Sequence, residues 1–348
     1  MKKILVTGGI GFIGSHTCLA LLEKGYSLLI IDSLINSSPF VFQKLKKFKI
    51  DNEISCEIEF IKGDIRNENF LNDLFKKQII KNENIEAVIH FAGLKAVGES
   101  TKNPLKYWDF NVRGTINLLN VMDKYECRNL VFSSSATVYG KREDKLLIKE
   151  DADINPINPY GNTKASIEII LDDLSKIEKS EWNIISLRYF NPIGAHSSGL
   201  MGENPVDIPN NLMPIINNVA AGNIKELEIF GNDWETYDGT GVRDYIHVMD
   251  VAEGHTLALD KILNSTPKNI QINLGTGKGT SVLELVTTFQ KVNNIEVPYK
   301  YSAKREGDVA IYVADNNLAK SFLKWIPKRN LEMMCVDSWE WFKKTQES

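Results

Sequence analysis

The chain is expected to fold as an α/β protein, a doubly wound parallel sheet with a smaller, discontinuous second domain, and three features carry that expectation. Apolar runs of strand length recur along the first half, with helical segments between them. A glycine-patterned turn follows the first run directly. Beyond Arg188 the rhythm gives way to a long irregular stretch. The runs are continuous rather than alternating, as strands covered on both faces require.

The runs are Ile4-Leu5-Val6, Leu28-Leu29-Ile30-Ile31, Ile58-Glu59-Phe60-Ile61, Ala87-Val88-Ile89-His90, Leu130-Val131-Phe132 and Ile184-Ile185-Ser186-Leu187. Phe40 to Asn52 is polar and lysine-rich, and reads as a solvated excursion. After Arg188, Pro192, Gly194, Gly199, Gly202, Pro205, Pro209 and Pro214 punctuate a stretch suited to building a site. Val242 to Leu259 and Ile270 to Leu274 look regular enough to return to the sheet. The expected division is therefore 1–188 for the sheet domain, with returns near 242–259 and 270–274, and 189–348 mainly for the second.

At 348 residues, 43% of them hydrophobic, the chain can bury a large core. The 41 Lys and Arg against 45 Asp and Glu leave a net charge of -4, which offers no general attraction to nucleic acid or to an acidic membrane. Cys18, Cys56, Cys127 and Cys335 lie too far apart for paired metal ligands and show no disulfide rhythm, so reduced thiols, a cytoplasmic protein and no metal site are expected. The opening Met1-Lys2-Lys3-Ile4-Leu5-Val6 stops at Thr7-Gly8-Gly9 without the apolar core of a signal peptide. No run approaches a membrane span.

Gly8, Gly11 and Gly14 sit between the first strand and a helix expected over Ser15 to Lys24. That pattern allows a tight turn, close backbone approach to a pyrophosphate and tight helix packing, with the helix N-terminus facing the anion, as in Rossmann-type folds. Asp32 ends the second strand 18 residues beyond Gly14, where a carboxylate accepts both ribose hydroxyls and repels a 2'-phosphate. NAD is expected over NADP. Asp64 after the third strand either meets the adenine edge or caps the next helix.

Ser133 to Gly140 follow a strand end, the edge at which such folds bind ligands. Tyr160 comes 25 residues after Ser135, and Lys164 four further on, on one face of a helix opened by Pro159. A phenol titrates near ~10 and makes a poor base at neutral pH unless nearby positive charge stabilises the phenolate. Lys164 and an oxidised nicotinamide are the expected sources of that charge.

A dinucleotide loop, hydroxyls after a middle strand and Tyr-x-x-x-Lys downstream together resemble the extended short-chain dehydrogenase/reductase family. Phe91 to Ser100, Arg188 to Pro192, Ile208 to Pro214, Gly241 to Val248 and Arg305 to Asp308 narrow the resemblance to its UDP-hexose 4-epimerase branch, over residues 4 to 315. The resemblance implies an isomerase that interconverts UDP-glucose and UDP-galactose through a transient 4-keto sugar, with tightly bound NAD. Ser135, Tyr160 and Lys164 would be catalytic. Phe12, Ile13, Asp32, Ser33, Leu34, Ile35, Asn36, Ser37, Asp64, Ile65, Phe91, Ala92, Gly93, Leu94, Lys95 and Phe190 would surround the cofactor, with Lys164 on the nicotinamide ribose. Asn191, Asn211, Leu212, Glu228, Ile229, Phe230, Arg243, Arg305, Glu306, Gly307 and Asp308 would hold the UDP-sugar, together with Ser135 and Tyr160. A homodimer built through a helical face is also implied.

Arginine can fork onto a diphosphate and Asp308 can accept ribose hydroxyls, the lesser alternative being that Arg243 and Asp308 form a structural ion pair. Ile10 fills the variable slot of the glycine loop, and Ser33 stands where Asn is usual. Phe110 occupies a place often polar, which moves a cofactor hydrogen bond to Asn111. Relatives that accept N-acetylhexosamines carry a small residue at the position of Tyr312, so Tyr312 is expected to limit the sugar's C2 substituent, unless it is a core aromatic. A related 4,6-dehydratase would need a carboxylate pair where this chain has Ala136-Thr137. A non-catalytic NAD-binding module would be expected to lack Tyr160 or Lys164.

Overall fold

The computed structural model describes residues 2–142, 146–205, 211–264, 266, 268–305 and 307–346. It divides into two compact units. The first holds Met1–Val138, Pro156–Arg188 and Ala252–Ile272; the second holds Tyr139–Asn155, Tyr189–Val251 and Asn273–Ser348. Residues 139–155 belong with the second unit, a return that no composition shift in the sequence announces.

The first unit alternates β1 (Lys3–Thr7), α1 (Phe12–Glu23), β2 (Ser27–Asp32), α2 (Phe40–Asp51), β3 (Ile58–Lys62), α3 (Glu68–Ile80) and β4 (Ile85–His90). There follow α4 (Val97–Lys102), α5 (Pro104–Tyr107), a π-helical turn over Trp108–Arg113, α6 (Gly114–Lys124), β5 (Asn129–Ser135), α7 (Pro159–Ser175) and β6 (Asn183–Tyr189). These strands and a late one, Asn269–Leu274, form a seven-stranded parallel sheet ordered late strand, β6, β5, β4, β1, β2, β3. The order reverses between β1 and β4, the switch point at which such sheets leave a crevice for ligands. Residue pairings such as Val6 with Ile30 on one side and Ile89 on the other fix the register there.

Every residue of β1 and β2 is buried, which accounts for the unbroken apolar runs. Leu5, Leu29, Val88, Leu130 and Phe132 pack on one face against Leu71, Leu74 and Phe75 of α3, Leu118 and Met122 of α6, and Ile167 and Leu171 of α7. Each such side chain stabilises the fold by about 1.5–3 kcal/mol, and Phe132→Ala would cost about 3–5 kcal/mol. Asn67 caps α3 by accepting from the Phe70 N–H, and Asn158 caps α7 from Gly161 ahead of Pro159.

Two expectations are corrected. Phe40–Asp51 is a helix, with Leu45 and Phe48 buried one turn apart and Lys46 and Lys47 exposed. The spacing of those two apolar residues outweighs the polar composition. Residues 242–259 do not rejoin the large sheet. They supply two short strands of the second unit, β9 (Val242–Arg243) and β10 (Tyr245–His247), and then α9 (Val248–Ile262), whose residues from Ala252 onward belong with the first unit.

The second unit also holds β7 (Asn191–Ile193), α8 (Leu212–Ala220) and β8 (Leu227–Phe230). After the late sheet strand, which is β11 in chain order, come β12 (Thr280–Ser281), α10 (Val282–Asn293), β13 (Tyr299–Ser302), β14 (Ile311–Tyr312) and α11 (Leu331–Gln346). β7 pairs with β10, β8 with β13, and β9 lies between β12 and β14. Phe289 of α10 meets Trp339 of α11 edge to face, with Met213, Ile216, Leu227 and Ile229 packed in the same core. Among the described residues no helix is long and apolar enough to cross a membrane.

Candidate active site

In the first unit, loops at the C-terminal ends of four strands are tied edge to edge. The Gly8 N–H donates to Ile31, Gly63 to Asp32 and Phe91 to Thr7. Gly8 has φ of 68°, and a Cβ there would lie 2.7 Å from the Ala92 nitrogen; a Cβ on Gly14 would lie 2.3 Å from the Gly8 carbonyl. Both glycines are demanded by the protein itself. Gly11 differs, because its nearest neighbour to an added Cβ is the Gly8 carbonyl at 3.4 Å. Gly11 also heads α1 without a side-chain cap, and no acidic residue stands in the first turn, so the helix presents uncapped N–H groups and a positive end. This loop fits a dinucleotide pyrophosphate. The helix starts at Phe12, earlier than the expected Ser15.

Asp32 lies at the end of β2, buried, and accepts from the Leu34 N–H at 2.9 Å and the Ser37 hydroxyl at 2.7 Å. Burial raises its carboxyl above the ordinary range, against these bonds and one from the Ile10 backbone. The turn it organises puts Leu34 at φ of 63° and leaves Ile35 and Asn36 exposed. Ile13 and Ser33 are half-buried. Lys95 brings the loop after β4 to the glycine loop, its ammonium 5.9 Å from the Phe12 ring centre.

Asp64 neither caps α3, which Asn67 does, nor stands free. Its carboxylate grips Arg66 at 2.7 Å, and burial's upward pull on it is outweighed by that arginine. Arg66 lies flat against Phe110, 3.5 Å from the ring centre, and also meets Asp109. Ile65 is buried in the core against the Gly114 backbone.

Asn111 is 1% exposed and its amide is fully engaged. The oxygen accepts from Leu94 N–H at 2.8 Å, and the nitrogen donates to the Leu94 carbonyl and Thr163 hydroxyl, each at 3.0 Å. Both N–H donors are spent, so Asn111 shapes the Phe91 to Lys95 loop, in which a Cβ on Gly93 would stand 3.0 Å from its amide oxygen, rather than offering a cofactor hydrogen bond.

The hydroxyls and amine converge where β5 ends against α7. Ser135 is hydrogen bonded to Tyr160. Its oxygen also accepts from the Thr137 N–H at 3.3 Å and hydroxyl at 3.0 Å, which leaves its own proton for Tyr160. Lys164 is buried and donates to the Ser133 carbonyl at 2.7 Å, with its ammonium 6.0 Å from the Tyr160 ring centre. Burial pushes the Tyr160 phenol up to about 12 despite the Ser135 bond. Burial draws Lys164 down to about 8, and Glu168 opposes that fall. Positive charge beside the phenol is thus what the arrangement needs. His90 lies between the Thr7 and Thr115 hydroxyls and burial holds it neutral, at about 3.

In the second unit, Arg243 on β9 pairs with Asp308, so both reach one point. The Arg305 guanidinium stacks on Phe230, 3.8 Å from the ring centre. Glu228 faces out of β8 and pairs with Lys300 across the strand pair at 3.2 Å, while Ile229 is buried. Asn211 heads α8, ahead of a half-buried Leu212, and bonds to Glu203. Asn191 pairs with Tyr245 in the β7 and β10 ladder. Gly307 has φ of 78°, which permits the turn before Asp308. Phe190 is buried; Tyr312 is half-buried rather than a core residue. Glu306, and residues 208–210 of the Ile208 to Pro214 block, lie outside the described residues.

Sequence reasoning missed the Glu168 carboxylate, which pairs with Arg188 at 2.6 Å with both side chains buried. Its spacing of four from Lys164 on α7, and a lone arginine closing an apolar strand, were the available signals.

A doubly wound sheet with a glycine loop, Asp32, and a Ser135, Tyr160 and Lys164 cluster defines an extended short-chain dehydrogenase/reductase. A family model described as GDP-mannose 4,6 dehydratase matches residues 5–338. UDP-glucose 4-epimerase of Bacillus subtilis is 51% identical over 97% of this chain and 96% of its own length. Two solved UDP-glucose 4-epimerases superpose closely. That of Stenotrophomonas maltophila, bound to NAD and formylated UDP-arabinopyranose, is 43% identical over 100% of this chain and 99% of its own, with a TM-score of 0.94. That of Bifidobacterium longum, bound to NAD+ and UDP, is 41% identical over 99% of both chains, with a TM-score of 0.90. The chain belongs to the UDP-glucose 4-epimerase family. The dehydratase name of the broader model does not carry its chemistry here, because Ala136 and Thr137 offer no carboxylate.

Proposed function

We propose that the protein inverts C4 of UDP-hexoses, interconverting UDP-glucose and UDP-galactose with NAD retained throughout. The observation that carries this reading is the Ser135, Tyr160 and Lys164 cluster at the end of β5, where a phenol, its hydroxyl partner and an ammonium meet. Gly8, Gly11, Gly14, Phe12 and Ile13 would hold the pyrophosphate of NAD. Asp32 to Ser37 would hold the adenosine ribose, Asp64, Ile65 and Phe91 to Lys95 would line the cofactor, and Phe190 would meet it. Bound NAD supplies a reversible acceptor for the C4 hydride and, when oxidised, a positive charge that adds to that of Lys164.

Tyr160, as phenolate, takes the proton from the 4-hydroxyl, and Ser135 donates a hydrogen bond to the same oxygen. The sugar becomes a 4-ketose. Arg243, Arg305 to Asp308, Asn191, Asn211, Leu212 and Glu228 to Phe230 would keep UDP anchored while the keto-sugar turns its other face to the cofactor, and Tyr160 would give its proton back to the 4-oxygen. Proton and hydride are both restored, and the cycle is redox-neutral. Anchors on the nucleotide rather than the hexose suit a keto-sugar that must turn without escaping.

On the same resemblance, the enzyme works in the cytoplasm as a homodimer. The decisive experiment is to incubate purified protein with UDP-galactose, without added NAD, and to look for UDP-glucose. A 4-keto-6-deoxy sugar, or cofactor binding without turnover, would overturn the reading.

A further inference from the structure

Three consecutive serines at the end of β5 meet three residues one turn apart on α7. The Ser133 carbonyl accepts from Lys164 at 2.7 Å, the Ser134 hydroxyl donates to Glu168 at 2.5 Å, and the Ser135 hydroxyl is bonded to Tyr160. Glu168 is 7% exposed, and Arg188 of β6 forks onto it, with Nε at 3.0 Å and Nη2 at 2.6 Å. A carboxylate this enclosed persists as an anion only where it is fully bonded. Glu168 lies in neither the cofactor loop nor the set of groups that touch substrate.

We propose that Glu168 is a positioning residue for the reaction: clasped by Arg188 and Ser134, it fixes the register of α7 on β5 and places a negative charge one helical turn behind the Lys164 ammonium. This rests on the proposed function only in giving Lys164 a role in the chemistry. Among the described residues, the groups facing Lys164 are few. From α7 come Tyr160 and Glu168, from β4 comes His90, which burial keeps neutral, and from β5 come the Ser133 carbonyl and the Phe132 ring, 4.8 Å from the ammonium. Arg188 reaches this group through Glu168. Glu168 is the one carboxylate among them.

Its charge works against desolvation. Burial draws the lysine down to about 8, and Glu168 pulls the other way. With the carboxylate neutralised, Lys164 would lose its proton at lower pH, and Tyr160 would then lack its cationic neighbour near neutrality.

The test uses the holoenzyme carrying Glu168→Gln, and in parallel Glu168→Gln with Arg188→Gln, which leaves no buried charge unpaired should the single variant fold poorly. The first readout is the pH midpoint of Lys164 itself, followed by NMR of protein carrying carbon-13 at the lysine ε-carbons. The second is the alkaline limb of UDP-galactose epimerisation. In the single variant each is expected to move to lower pH, by about one unit, and in the double variant in the same direction by less, because loss of the Arg188 cation offsets part of the loss of the carboxylate. Midpoints that stay where the unmodified protein has them, whatever happens to thermal stability, would overturn the proposal. The Lys164 midpoint does not require turnover, so an unmodified protein that fails to epimerise would sink the functional reading while that midpoint still decides the role of Glu168.

Discussion

The rings of Phe190 and Tyr312 stand with their centroids 5.6 Å apart and their planes inclined at 43°. Tyr312 is half-buried and thus braced by an aromatic neighbour while still presenting part of its ring. A braced ring cannot yield cheaply to a larger sugar substituent. Overpacking by a few heavy atoms costs about 1–3 kcal/mol, roughly ten- to hundredfold. UDP-galactose is expected to react far faster than UDP-N-acetylgalactosamine, and Tyr312→Cys to raise the rate on the latter. Equal rates in the unmodified enzyme, or an unchanged ratio in the variant, would remove Tyr312 as the gate.

Tyr160→Phe removes only the phenolic oxygen that Ser135 meets. Fold and NAD content should survive, with turnover reduced by about a hundredfold or more, the usual worth of a positioned acid-base group. Near-normal turnover would exclude Tyr160 as the base.

The glycine loop separates two roles. Gly14→Ala would drive a Cβ to 2.3 Å from the Gly8 carbonyl, and should cost stability by about 1–3 kcal/mol, seen as a lower melting temperature, as well as cofactor. Gly11→Ala meets protein only at 3.4 Å, so the fold should hold while NAD is lost. The unmodified protein should release NAD when denatured after purification. Protein without nucleotide, or a Gly11→Ala variant that retains it, would contradict the assignment of this loop.

On the proposed function, Asp32 sets a negative charge where a 2'-phosphate would fall. Comparison of cofactor dissociation constants should show NAD strongly favoured, and Asp32→Ser should narrow the gap. Equal binding of NAD and NADP by the unmodified protein would dismiss that role.

Much of the first unit is legible in the sequence because its strands are buried on both faces: Ile4 to Val6 or Leu28 to Ile31 could hardly serve elsewhere. Tyr160 and Lys164 declare themselves through helical spacing. Phe40–Asp51 was obscured because only Leu45 and Phe48 anchor it among lysines. The engagement of Asn111 with Leu94 and Thr163, and the clasp of Arg188 on Glu168, join residues distant in the chain, and no local pattern encodes which partner a buried amide or carboxylate will find.

Of the three contacts that seat α7 on β5, the one to Lys164 is made by the main-chain oxygen of Ser133. Replacing that serine alters a side chain and leaves the oxygen in place, so point substitution cannot delete the lysine's anchor. Insertion or deletion of a single residue in Asn129–Ser135 would displace every one of the three at once. Natural variation should therefore be free at the identity of Ser133 while sparing the length of this strand end, and a library that varies segment length should find it intolerant where substitution of Ser133 alone is forgiven.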